Sequence, residues 1–312
     1  MTVSASEAGA SITARASKRP RTLPDGALCA LFIAPSATIL ALMVFYPFFS
    51  LIYYSTLRFS MMRPKIDAVP VGLDNYVNLL TDADIWQRFA FTGKFVLATV
   101  IIQFSIGLAV AYAFQRNFKG RDFVFTLALL PMMLCPIVIG FLWRYMFNSE
   151  WGLVNFLISL VGISKIDWLG RSENALWAVA IADAWTWTPF VILLATAAFR
   201  GIPQDIRESA EIDGASPVFM FFRVTLPMSL PILVIALLLR LIDAFKQYDL
   251  FLAMTGGGPA SETETAAFSL SKIAFGYFHT GEASAFAIVL LIVIVGLSMI
   301  FVRYLTRLSN RV

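Results

Sequence analysis

Residues 203–227 read PQDIRESAEIDGASPVFMFFRVTLP, the longest polar-rich interruption in the C-terminal half of a very apolar chain. The order of residue types predicts two short helices that meet at a corner. Pro203 suits a first helical position, and Asp205, Glu208 and Glu211 gather acids toward the positive end of that helix. Gly214 suits the position just past its last turn, where a left-handed backbone closes a helix. Ser216-Pro217 reads as an N-cap followed by proline at the start of a second helix. The corner falls at Asp213-Gly214-Ala215.

Around this elbow the chain is too apolar for water. Hydrophobic residues make up 59% of its 312 residues and mean hydropathy is +0.76, more apolar surface than a soluble domain can cover. The expectation is an all-α integral membrane protein. A fourth span (about 175–198) precedes the elbow, and a fifth (about 229–254) follows it. Upstream lie spans at about 27–54, 91–114 and 124–147, each long enough for a bilayer. Pro35 and Pro47 can kink the first, and the third contains Pro131 and Pro136. A sixth span covers about 284–305. Residues 1–26 read as a disordered cytoplasmic tail and 306–312 as a short basic one, leaving 27–305 as a single transmembrane domain.

Orientation follows from the basic residues. With the N-terminus inside, Arg15, Lys18, Arg19, Arg21, Arg116, Lys119, Arg121, Arg200, Arg207, Arg223, Arg303, Arg307 and Arg311 are cytoplasmic. The external loops hold Arg58, Arg63, Lys65, Arg88, Lys165, Arg171 and Lys272. The excess sits inside, so both termini and the elbow are expected in the cytoplasm. The net charge of +4 is explained by this placement and gives no reason to expect a nucleic-acid partner.

Several chemistries find no support. No phosphate-binding loop of the G-x-x-x-x-G-K-[ST] type occurs, and Gly256-Gly257-Gly258-Pro259 reads as a helix terminator. Cys29 and Cys135 both lie in apolar runs and His279 is the only histidine, so neither a metal site nor a catalytic constellation is expected. The informative charges lie inside spans. Arg240, Asp243, Lys246, Gln247 and Asp249 fall within about half of a helix circumference at 100° per residue. Arg240 sits about 16 Å into the fifth span from Ser229. A buried charge there costs at least about 2.5–3.5 kcal/mol unless it faces protein or water. The signs alternate at i, i+3, so the row is either a self-neutralising ladder between helices or the lining of an aqueous path for a polar solute. An apolar seam would pack helices with less desolvation, which favours the path. Asp183 in the fourth span, beside Trp185 and Trp187, either neutralises Arg240 or Lys246 or meets the solute.

Glu208-Ser209-Ala210, Asp213-Gly214-Ala215 and Val224-Thr225-Leu226-Pro227 together resemble the EAA loop of permease subunits in binding-protein-dependent ABC importers. Ser209 stands where alanine is usual. The segments GLDNYVNLL (72–80), DADIW (82–86), KGRD (119–122), WG-x-x-N (151–155) and GGGP (256–259) look like the carbohydrate-uptake branch, with its maltose-type and glycerol-phosphate-type first permease subunit. The resemblance implies a MetI-like, type I importer permease with six spans in the bacterial inner membrane. It implies a second permease subunit, two ATPase subunits that carry ATP and magnesium, and an external substrate-binding protein; this chain itself would hold no cofactor. Glu208, Ala210, Glu211, Asp213, Gly214 and Ala215 then carry over as the ATPase-coupling loop. In relatives that hold sugar in the permease, contacts come from the helix before the Gly-Gly-Pro break. Lys246, Gln247, Asp249 and Leu250 fall there and join Asp183 and Asp243 in the candidate path. The alternative is an ion-coupled secondary transporter, although no internal repeat is visible.

Overall fold

A computed structural model describes residues 25–62 and 68–309, without the side chains of 25–29, 31, 211, 304, 305 and 307–309. The expected tail at 1–26 thus falls almost wholly outside the described residues, as do Arg63, Lys65 and Arg311. The described residues divide between Ser50 and Leu51 into two compact units. The first contains most of helix α1 (Asp25–Ser55), which carries Pro35 and Pro47 within it. Its apolar part, Phe32–Ser55, is long enough to cross a bilayer.

The second unit is built on α3 (Ala83–Ala113) and α7 (Ser172–Arg200). In lipid, helices associate by close packing of small residues rather than by a hydrophobic drive. The sequence supplies these: α7 buries Ala178, Ala180, Ala182, Ala184, Ala195 and Ala198. On α3, a Cβ at Gly107 would come within 2.7 Å of Val191 Cγ1, so only glycine permits this approach. The second long helix pair is α10 (Leu226–Phe245) and α13 (Thr280–Ser309). Helix α13 runs helically beyond the expected end of its span at residue 305.

The third span departs from expectation. Instead of one helix at 124–147, α4 (Arg121–Leu129) and a 3₁₀ turn (Leu130–Met133) are bent by 98° from α5 (Pro136–Met146). Leu134 and Cys135 are extended between them, as the residue before a proline prefers. Among the described residues five helices are long and apolar enough to span a membrane, or six if this bent pair counts as one.

Segments expected to be plain external loops have internal order. Residues 55–90 hold a two-residue ribbon, Leu57–Arg58 against Val69–Pro70, and α2 (Asp74–Thr81). The loop at 148–174 contains α6 (Leu153–Leu160) and is tied by Asn155, which is 1% exposed. Its Nδ2 donates to the carbonyls of Ile166 (2.9 Å), Ser149 (3.1 Å) and Asn148 (3.3 Å). Its Oδ1 accepts from Ile166 N and Trp168 Nε1, both at 3.1 Å. Asn155→Leu removes these bonds, and although the Asn148 carbonyl keeps the Gly152 N–H and Ser149 is exposed, the Ile166 and Trp168 groups lose this partner, at an expected cost of roughly 2–3 kcal/mol. Faster proteolysis of this loop in the detergent-solubilised variant is the check. Unchanged protection would remove Asn155 as its organiser.

Candidate functional site

The elbow forms as its punctuation predicts. Helix α8 (Gln204–Ile212) ends at Gly214, whose φ is +75°. The Ala215 N–H reaches back to the Ala210 carbonyl at 3.0 Å, the six-residue closure of a Schellman motif. Ser216 then caps the next helix by accepting from Phe219 N at 3.3 Å, with Pro217 at its first position. Glu208, Asp213 and Gly214 are exposed, and Ala210 and Ala215 are partly covered. Of Glu211 only the backbone, on α8, is described. Ile212 at the end of α8 is 86% exposed, an apolar side chain that the sequence reading passed over.

The helix after the corner is not short. α9 (Pro217–Met220) runs through a π-turn (Phe221–Thr225) directly into α10, so one helix extends from Pro217 to Phe245. The wide turn has a local cause: Pro227 has no N–H to give, and Leu226 N–H instead bonds Phe221 O, five residues back. The expected fifth span at 229–254 is therefore displaced. It begins at the elbow and stops at Phe245, Lys246 leaves helical geometry, and α11 restarts at Asp249 (Asp249–Met254). The single charged face drawn through 249 does not continue past Lys246. Arg240 is about 7.5 Å from the end of α10 rather than at mid-span.

Arg240 and Asp183, both 1% exposed, form a buried ion pair at 2.9 Å. Asp183 Oδ2 also accepts from Thr99 Oγ1 (2.5 Å) and Gln103 Nε2 (2.8 Å), and Oδ1 accepts from Gln247 Nε2 (3.4 Å). The guanidinium donates from Nε to Gln103 Oε1 (2.9 Å) and from Nη1 to Asp243 Oδ2 (2.5 Å), and it lies 5.0 Å from the Trp187 ring centre. Every polar edge of Arg240 has a partner, as a buried charge requires. The knot joins α3, α7 and α10. Thr99 and Gln103 are the members that a search for charges alone could not find. Their signal was a pair of uncharged polar residues four apart, on one face of an apolar span.

Of the other candidates, Asp243 is 48% exposed at the side chain and Lys246 is exposed. Gln247 and Asp249 are partly exposed. Among the described residues neither Lys246 nor Asp249 forms an ion pair, so the alternating ladder stops after its first rung. Leu250 does not line this surface. It is buried in the apolar core with Phe251 and Met254, against α5, where a Cβ at Gly140 would meet Ala253 Cβ at 2.5 Å.

A second charge cluster lies in the segment after the glycines. Gly256 and Gly257 have φ of +60° and +84° and terminate α11, as the glycine run predicts. Beyond them Glu264 is buried, bonded to Lys272 Nζ (2.6 Å) and Ser269 Oγ (3.1 Å), with Arg88 Nε at 3.6 Å. Thr265 caps α12 (Ala266–Ser271) and donates to the Gln247 carbonyl at 3.0 Å. This cluster pins the segment over the break in the fifth span. The Glu264 hydrogen bond raises the Lys272 ammonium above the ordinary lysine value of 10.5. A raised lysine contributes fully below its unfolded pKa, so the lysine's share of this stability is present at neutral pH and is lost as pH rises through its raised value.

Residues 103–311 match the family described as "Binding-protein-dependent transport system inner membrane component". The chain belongs to that family. The permease is 33% identical over 276 residues to the trehalose/maltose transport system permease protein of Thermococcus litoralis, covering 88% of this chain and 92% of that one. It is 27% identical over 285 residues to the sn-glycerol-3-phosphate transport system permease protein of Agrobacterium fabrum, covering 91% and 96%. Its fold matches a chain of a bacterial ABC transporter involved in the import of the acidic polysaccharide alginate, with a TM-score of 0.77 over 91% of this chain and 96% of that one at 20% identity. It is a multi-pass inner-membrane permease. ATP hydrolysis resides on partner subunits, and the family binds no cofactor of its own.

Proposed function

We propose that this permease, with a second permease subunit, forms the path for a sugar, polyol or related polar solute and is driven through the elbow at 203–227. One observation carries the reading: a single helix starts at the corner, at Pro217, and holds Arg240 of the buried knot about 35 Å further on. A displacement of α8 by ATPase subunits would move this helix as a rigid body. The positive-inside count supports a cytoplasmic elbow. Glu208 and Asp213 offer exposed carboxylates to basic groups of an ATPase partner, and Ile212 offers an apolar contact.

At the other end of the helix, Asp183 and Arg240 are consumed by each other and by their neighbours. They position the site rather than line it. Asp243, Lys246, Gln247 and Asp249 remain accessible and present both donors and acceptors, which suits hydroxyl-rich solutes. The names of the trehalose/maltose and glycerol-phosphate relatives support a carbohydrate or polyol. An external binding protein would deliver it.

Gln247→Ala tests the path. The amide touches Asp183 only at 3.4 Å, so the fold is expected to survive its loss. Apparent solute affinity of the reconstituted importer is expected to fall about five- to tenfold, the worth of one or two hydrogen bonds. Unchanged transport kinetics would return this surface to helix packing.

A further inference from the structure

Between the last turn of α3 and the corner lies a cavity of about 260 Å³. Gln115 and Arg116 form one wall, with Arg207, Ala215 and Pro217 on the other. Tyr112 crosses it, donating from Oη to the Pro217 carbonyl at 2.8 Å. Two buried donors beside this cavity have no hydrogen-bond partner, Gln115 Nε2 and Arg207 Nε. Arg207 is held in place because Nη2 bonds the Phe199 carbonyl at the end of α7. Arg116 is exposed and makes no ion pair among the described residues. No described carboxylate lines the cavity.

The two guanidinium groups supply donors only, and Gln115 adds an unpartnered NH₂ donor beside its acceptor oxygen. Leaving Gln115 Nε2 and Arg207 Nε buried and unpaired is costly, so the space calls for an acceptor, and the two arginines favour one carrying negative charge. The volume lies just below the range usual for drug-sized ligands, about 300–1,000 Å³, and has room for a tetrahedral anion. On the positive-inside assignment the cavity opens at the cytoplasmic face, where the leaflet is anionic. We propose that this cavity binds a phosphate group, supplied either by an anionic lipid headgroup or by free phosphate, and that the bound anion braces the coupling corner against α3. Arginine pairs with phosphate through two parallel hydrogen bonds, which adds geometric selectivity to charge.

The test uses the importer co-purified with its partner subunits, in nanodiscs of phosphatidylcholine with or without phosphatidylglycerol. A non-hydrolysable ATP analogue fills the nucleotide sites. Native mass spectrometry reads retained phosphatidylglycerol, and calorimetric titration into the neutral discs reads inorganic phosphate. Retention of phosphatidylglycerol identifies a lipid source, and titration by phosphate a free anion. In either case Arg116→Gln and Gln115→Met are each expected to weaken binding about tenfold, while Arg116→Lys retains most of it. Arg116 is exposed, so its variants test the site even if Gln115→Met disturbs packing. Binding in neither arm, or binding unchanged in both Arg116→Gln and Gln115→Met, overturns the proposal.

Discussion

The Gly214→Pro permease is expected to insert and to assemble with its partners, yet to show ATP hydrolysis that no longer responds to solute. Gly214 sits at φ +75°, and proline is locked near −65°, so the corner cannot form with proline in it. The loss is local. Helix α8 loses the closure between Ala215 N–H and Ala210 O, and the helix from Pro217 no longer leaves at a fixed angle. Nothing lies within 4 Å of a Cβ built at Gly214, so a side-chain carbon there has room and the conflict comes from the proline ring and the backbone angle. Gly214→Asn is the matched control, because asparagine tolerates the left-handed region. Solute-stimulated hydrolysis in proteoliposomes should fall at least about tenfold for proline, within the usual range of coupling energies, and stay near normal for asparagine. Equal loss in both variants would point to side-chain contact rather than to the corner's geometry.

The second large effect is expected at the knot. Arg240→Leu leaves the Asp183 carboxylate buried with hydrogen bonds from Thr99 and Gln103 but no cation. Breaking a buried pair from one side costs about 3–5 kcal/mol, enough to lower yield and thermal stability sharply in detergent. Removing both charges, as Asp183→Leu with Arg240→Leu, should recover much of that stability, since apolar groups of similar volume often replace a buried pair without loss. The double variant separates two roles. If the knot only holds helices together, transport recovers with stability. If it also positions Asp243 and Gln247, stability returns and solute affinity does not.

The elbow was legible because its punctuation is local: Gly214 stops one helix and Ser216-Pro217 starts the next within three residues. The bend in the third span was half legible. Pro131 and Pro136 were visible, but the 98° angle depends on Leu134 and Cys135 being extended together. The end of α10 carried no signal, since neither glycine nor proline marks Lys246, and a helical wheel drawn through it grouped side chains that do not share a helix. The same slip placed Leu250 on the path by counting back from Pro259, whereas the restart at Asp249 turns it into the core. Asp183 with Arg240 was one of two pairings that charge balance allowed. The choice of Arg240 over Lys246, and the parts played by Thr99, Gln103 and Glu264, depend on helix packing between distant segments.

The central claim is that the elbow is where an ATPase partner grips the permease, and cross-linking tests it most directly. Ser209 is exposed beside Glu208, and serine to cysteine is nearly isosteric, so Ser209→Cys in a background lacking Cys29 and Cys135 places a thiol on α8 with little disturbance. A short thiol-to-amine reagent applied to the active, assembled importer should join this cysteine mainly to the ATPase subunit, with a yield that changes on adding ATP. An importer that still transports but gives no ATPase adduct from this position would contradict the account.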